Sequence, residues 1–238
     1  MRLMPDRREG GRPGRAGALL APRAPRIPER TVTRLSIYLR CLEEVQADGL
    51  RAVSSKQLAE RFGLNSAQVR KDLAYFGQFG VRGLGYYTGE LKHNLERILG
   101  LKHDWQVALV GVGNLGSALL AYPGFQRRGF RLSVAFEKDP AKIGRKHGRV
   151  PVHPIERIGP VLKRRGIRIA VLAIPAAGAQ AVADQLVAAG VNAILNFAPI
   201  QLTLPRDVKV QNVDLSVLLK TLAFHTNRPD PGDSARPE

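Results

Sequence analysis

Apolar residues along this chain follow two rhythms that change near residue 100. Over 31–48, Leu35, Leu39, Leu42 and Val45 recur at helical spacing along one side of an amphipathic helix that Gly49 stops. Ser54-Ser-Lys-Gln57 has the form of a capping box and opens a short helix carrying Leu58 and Phe62, ended by Gly63. Asn65-Ser-Ala-Gln68 repeats the cap pattern, and Val69, Leu73 and Phe76 form the inward stripe of a third helix. Two short helices joined by a glycine turn predict a helix-turn-helix. Over 77–88, Gly80, Gly83 and Gly85 fall among Phe79, Val81, Tyr86 and Tyr87, the makeup of a β-hairpin wing, and 90–100 reads as a connecting helix.

Past a boundary at 100–105 the rhythm becomes that of an α/β domain. Short apolar runs at 107–110, 131–136, 150–153, 168–174, 193–197 and 208–213 alternate with helical stretches, among them one opening at Ser117 and one over 177–189. That alternation predicts a parallel, doubly wound, Rossmann-like sheet. A last amphipathic helix over 214–225 carries Leu215, Leu218, Leu219 and Leu222. Nothing in the preceding domain calls for it, so it reads as a surface for a partner subunit. Residues 1–30, rich in Arg, Pro and Gly, are expected to form a disordered basic arm and 227–238 a disordered tail, leaving 31–104 and 105–226 as the two folded domains.

The second domain opens on Gly111-Val-Gly113-Asn-Leu-Gly116 directly after an apolar strand, the spacing of a dinucleotide fingerprint. Gly111 makes the tight turn, Gly113 removes the side chain that would block a pyrophosphate, and Gly116 allows close helix–strand packing. The helix start offers free N–H groups and the positive end of a dipole. The next strand ends in Glu137, about twenty residues past the last glycine, where an acid accepts hydrogen bonds from an adenosine ribose. NAD(H) is therefore favoured over NADP(H). The alternatives are a non-binding α/β domain with glycine turns and, for Glu137, a solvated acid at a strand end.

In the first domain, an inward Val69, Leu73 and Phe76 turn Ala67, Lys71, Ala74 and Gln78 outward, flanked by Gln68, Arg70 and Tyr75. Small alanines let a backbone approach a groove. Lys71 then reaches base acceptors, Arg70 and Tyr75 hold phosphates, and Ser66 donates to the DNA backbone. Arg82, beside Gly83 at the wing tip, suits a narrow minor groove. A small helical domain with an ordinary basic surface is the alternative. Formal net charge of +17 favours a polyanionic partner. Over half of that excess, however, falls within 105–226, so charge supports nucleic acid only as background.

No apolar run approaches the roughly 18 residues that span a bilayer, and the N-terminus lacks the apolar core of a secretory signal. One cysteine, Cys41, excludes an intrachain disulfide framework and fits a reducing cytoplasm. The five histidines and the cysteine show no metal-site spacing, so no metal is expected.

Gln68-Val-Arg-Lys-Asp-Leu73 with Tyr75-Phe-Gly77, Arg82-Gly-Leu-Gly-Tyr86, Gly111-Val-Gly-Asn-Leu-Gly-Ser-Ala118, Tyr122-Pro-Gly-Phe125, Asn196-Phe-Ala-Pro199 and Asn212-Val-Asp214 occur in this order. Together they resemble the redox-sensing transcriptional repressor Rex family, over about residues 31–226. The resemblance implies a homodimer of winged helix-turn-helix and Rossmann-like domains whose last helix is exchanged between subunits. It implies no catalysis: NADH and NAD⁺ are regulatory ligands, operator DNA is bound when NADH is low, and NADH binding releases it. Two reading heads in one dimer call for an inverted-repeat operator.

Residue by residue, Ser66, Gln68, Arg70, Lys71, Tyr75, Arg82 and Gly83 fall to DNA. Gly111, Val112, Gly113, Asn114, Leu115, Gly116, Glu137, Ile174, Pro175, Asn196 and Phe197 fall to the cofactor. Arg40, Tyr122 and Asp214 fall to coupling between them, with Asp214 pairing Arg40 in one state and hydrogen-bonding Tyr122 in the other. Glu137 departs from the Asp that family members commonly carry, which bears on NAD preference, and the basic arm departs from the family pattern. The rival functions are an NAD-dependent oxidoreductase, for whose substrate pocket the chain has no room, and a CoA-binding protein, which has no use for an acid at Glu137.

Overall fold

The computed structural model describes residues 27–77 and 79–227. The expected basic arm, apart from its last four residues, and all but the first residue of the tail lie outside the described residues, as does Gln78. Contacts divide the chain between Leu95 and Glu96 into two compact units.

The first unit starts earlier than its apolar stripe. α1 (Glu29–Ala47) follows Pro28 directly, so Glu29 and Arg30 belong to the helix and not to an arm. Leu35, Leu39, Leu42 and Val45 are buried along it, joined by Tyr38 and Cys41. β1 (Ala52–Val53) comes next, then α2 (Ser55–Phe62). The capping box of α2 is complete: Gln57 N–H donates to Ser54 Oγ at 3.1 Å, and Ser54 N–H donates to Gln57 Oε1 at 2.8 Å. Gly63 closes it in the left-handed region at φ +63°, where a side chain would be strained. α3 (Ser66–Ala74) is capped by Asn65, which accepts from Gln68 N–H. Phe76 lies beyond its end and is half-buried.

β2 (Gly80–Val81) and β3 (Gly85–Tyr87) form the expected wing. β1, absent from the sequence reading, pairs antiparallel with β3, giving a three-stranded sheet of order β1-β3-β2. A Cβ on Gly85 would collide with the backbone of Val53 and Ser54, so glycine is what lets wing and β1 meet. α4 (Thr88–Ile98) follows at once, two residues earlier than its pattern suggests, and the division between units falls inside it.

In the second unit β4 (Trp105–Val110) leads into α5 (Asn114–Ala121), a short α6 (Gly124–Arg127) and β5 (Phe130–Glu137). α5 starts at Asn114, three residues before the expected Ser117. β6 (Lys146–His147) and β7 (Val150–Pro154) make an edge hairpin. α7 (Ile158–Arg165), β8 (Ile169–Leu172), α8 (Ala179–Ala188), β9 (Ala193–Asn196), β10 (Lys209–Asn212) and α9 (Leu215–Thr226) complete it. The sheet order is β10-β9-β8-β4-β5-β7-β6, parallel throughout except for edge strand β6.

From β4 the chain winds outward through β5 to β7 and then returns to β8 on the other side of β4. The topological switch point, where α/β sheets bind ligands, thus lies at the C-terminal ends of β4 and β8. One sheet face, with Val110, Phe136 and Leu172, is covered by Ile158, Val161 and Leu162 of α7 and Val182 and Leu186 of α8. On the other face Leu119 and Leu120 of α5 pack over Val107, Leu109 and Ala135, while Ile169 of β8, Leu195 of β9 and Phe197 just after β9 stay only partly covered. α9 does not fill that gap. Leu215, Val217, Leu218, Leu219, Leu222 and Phe224 are 54 to 65% exposed.

Candidate DNA-reading face and dinucleotide crevice

α3 presents Arg70, Lys71 and Ala74 on its exposed side, with Tyr75 exposed at its C-terminal cap. Arg70 donates to Ser55 Oγ at 2.9 Å, which ties it to the start of α2. Ser66 is half-buried, and Arg82 and Gly83 are exposed in the turn between β2 and β3. Gln68 departs from its outward placement: half-buried, it donates to Asp72 Oδ1 at 2.8 Å.

Asp72 itself was missed by the sequence reading. Fully buried, it accepts from Arg34 Nε at 2.5 Å and Nη2 at 2.8 Å, from Tyr38 O–H at 2.8 Å, and from Gln68. Burial pushes its carboxyl upward, but the hydrogen bonds from Arg34, Tyr38 and Gln68 outweigh it and hold the group below the usual carboxylate range. The network fixes α3 to α1. The signal was there to read: Asp72 stands three residues after Val69, on the apolar stripe, and Tyr38 three after Leu35.

At the switch point the three glycines do different things. Gly111 turns at φ +95°, and a Cβ there would collide with Ala173 O and Ile174 Cγ2, which brings the loop against the end of β8. A Cβ on Gly116 would collide with Gly111 O, so α5 packs on the turn only through a glycine. Gly113 has ordinary backbone angles, φ −76° and ψ −164°, and a Cβ there would meet nothing within 4 Å. The fold makes no demand for glycine at 113. Asn114 and Leu115 face solvent at the start of α5, while Val112 is buried.

Glu137 is 8% exposed and not a solvated acid. Its Oε2 accepts from Val112 N–H at 2.6 Å, and its Oε1 from Lys138 N–H at 2.8 Å and Asp139 N–H at 3.1 Å. Burial raises its pKa, but these backbone bonds prevail and keep it below the usual range. The longer side chain thus braces the glycine loop, and Oε2, which accepts only one of these bonds, keeps capacity to accept from a ribose hydroxyl. Ile174 is half-buried and Pro175 exposed after β8. Asn196, 1% exposed, spends its amide on Ala198 O, Ile200 O, Asn212 Oδ1 and Ala198 N–H, so it shapes the loop after β9. Phe197 is half-buried.

Arg40 is exposed on α1. Tyr122 is exposed with its ring edge-on to Phe125 at 5.1 Å. Asp214 caps α9, accepting from Ser216 N–H and O–H and from Val217 N–H; these bonds hold its pKa low. It lines a pocket of about 300 Å³ with Asn196 and Asn212, whereas Tyr122 lines a separate cleft. No group of three or more His, Cys, Asp or Glu among the described residues could hold a metal, and no described helix is long and apolar enough to cross a membrane.

Residues 26–74 match the family model described as "Putative DNA-binding protein N-terminus", and residues 102–200 the one described as "CoA binding domain". The redox-sensing transcriptional repressor Rex of Pelotomaculum thermopropionicum is 50% identical over 203 residues, 85% of this chain and 95% of that protein. The chain belongs to the Rex family. Rex of Streptomyces coelicolor is 46% identical over 208 residues, 87% of this chain and 81% of that protein. Among solved structures, the Rex-family repressor RSP in complex with β-NAD⁺ and operator DNA gives a TM-score of 0.81 at 40% identity, covering 84% of this chain and 93% of RSP. RSP in complex with β-NADH gives 0.77 at 38% identity, covering 84% and 94%. As a Rex family member the chain is a transcriptional regulator and not an oxidoreductase, and its α/β fold with an N-terminal DNA-binding unit is the family's.

Proposed function

We propose that this chain is a cytoplasmic homodimer that represses transcription from inverted-repeat operators when NADH is low and leaves them when NADH binds between Gly113, Glu137 and the end of β8. The observation that carries the ligand half is Gly113: the fold leaves a side chain's worth of space there and has no use for it, which is what a pyrophosphate over the start of α5 requires. The DNA half rests on Lys71, Arg70 and Tyr75 along the exposed side of α3, with Arg82 at the wing turn. Likeness to RSP, solved with β-NAD⁺ and operator DNA and with β-NADH, supports assigning both partners to this chain.

The dimer rests on the apolar, uncovered α9 and on the open face over β8 and β9, which a partner's helix would complete. The match to a CoA binding domain favours a second reading, CoA in place of the dinucleotide. A buried carboxylate beside the loop suits a ribose diol and repels a 2′-phosphate, which argues for NADH over both NADPH and CoA.

Fluorescence titration tests this. NADH is expected to bind more tightly than NADPH or CoA. Gly113→Val is expected to abolish NADH binding with the melting temperature and operator affinity of wild type, because its side chain enters only ligand space. Unchanged NADH affinity in that variant would reject the crevice.

A further inference from the structure

We infer that the nucleotide domain carries a second ligand site, for a mononucleotide, at the sheet edge opposite the glycine loop. A cleft of about 800 Å³ opens where β5 begins, between the ends of α5 and α6 and the β6–β7 hairpin. That is the size of a small-molecule site. Its lining holds Arg131, Arg149, Arg165 and His147 but no carboxylate. None of the three arginines forms an ion pair among the described residues.

Arg165 is held in place by donating to Ser133 O at 3.1 Å. Arginine forks left without acids fit phosphate oxygens.

The rest of the lining is mixed, with Phe125 and Phe130 beside Leu132 and Val150 and the polar Gln106, Gln126 and Ser133 among them. An anionic head and a flat apolar body in one concave site describe a nucleotide's phosphates and base. A duplex offers a convex backbone that meets ridges instead, so the cleft is assigned to the small ligand. Tyr122 forms part of the wall, which places this ligand against a residue assigned to coupling.

The probe is ATP, titrated by calorimetry into full-length protein saturated with NADH, and separately into Gly113→Val, whose dinucleotide loop is blocked. One equivalent of ATP per chain is expected in both. Arg131→Ala with Arg149→Ala, both exposed positions, is expected to weaken ATP by about a hundredfold, about tenfold for each of the two charge-assisted hydrogen bonds lost, with NADH affinity and melting temperature unchanged. Pyrophosphate and adenosine are each expected to bind far more weakly than ATP.

No ATP uptake in either protein, or uptake indifferent to the double variant, overturns the site. Pyrophosphate binding as tightly as ATP overturns the role of the aromatic floor. Displacement of ATP by a non-operator duplex, abolished in the double variant, reassigns the groove to nucleic acid. Failure of wild type to bind NADH would count against the earlier reading alone, since the Gly113→Val titration still decides this one.

Discussion

Asp72 carries a charge with no exposure to water, and its five donors, Thr31 O–H among them, determine what its loss costs. Truncation leaves Arg34 Nε and Tyr38 O–H without their acceptor, while Arg34 Nη2 keeps Thr31 Oγ1; removing one member of a buried pair costs about 3–5 kcal/mol, and the 30% exposure of Arg34 argues for the lower end. The same bonds set a pH dependence. A carboxyl whose folded pKa is depressed stabilises the fold fully above its unfolded value, about 4, and loses that contribution as pH falls through the folded value. Asp72→Asn is therefore expected to lower stability at pH 7 and to flatten the acid side of the stability profile. Urea unfolding of both proteins between pH 3 and 7 checks it, and parallel acid limbs would place the buried charge elsewhere. Glu137, also depressed, supplies the residual slope in the variant.

At the scale of elements, the proposed DNA reading is shared between α3 and the wing. Lys71 is exposed and α3 is fixed to α1 by Asp72, so the amine is presented from a rigid helix. Lys71→Ala is expected to weaken operator binding by about 1–3 kcal/mol while leaving non-specific DNA nearly unaffected. Arg82→Ala is expected to cost most on operators with A·T-rich flanks, where the minor groove is narrow. Gel shifts on operator and scrambled duplexes measure both, and equal losses on the two DNAs would make Lys71 a phosphate contact.

Elements with a clean signal were legible in the sequence: α2 from its capping box, the wing from its glycines, β4 and α5 from the fingerprint. Those missed had signals that something masked. α7 keeps an i, i+3, i+4 stripe in Ile158, Val161 and Leu162, but Gly159 and Pro160 read as a break although Pro is tolerated in a first helical turn. β1 is two residues long and exists through pairing with β3, which no local pattern encodes. Asn196 and Glu137 stood out in the sequence, yet which backbone groups they bind follows only once the strands and loops around them are folded together.

For the whole molecule, α9 and the half-covered sheet face pose one problem with one solution. Each large apolar side chain of α9 gains about 1.5–3 kcal/mol on burial, far more than a helix exposed on every such residue would forgo if a partner surface existed. Removing 214–238 is expected to turn a dimer into monomers or aggregates in sedimentation, and a stable dimer of the truncated chain would assign the interface to other residues. Asp214 caps this helix and lines a pocket with Asn196, which makes it the residue at which to test coupling between dimer and ligand. Because linkage is reciprocal, whatever factor NADH takes from operator affinity, operator must take from NADH affinity. A differential of about 10⁴ is needed to swing a two-state equilibrium from 1:99 to 99:1, so both titrations have ample range. Asp214→Ala is expected to keep NADH affinity for free protein within a few-fold while shrinking both factors together, and Tyr122→Phe to do so more mildly. If the variant loses operator release by NADH yet operator still weakens NADH as in wild type, the two measurements violate a closed cycle and a third bound species is present. If both factors stay at their wild-type size, coupling runs through residues other than Asp214.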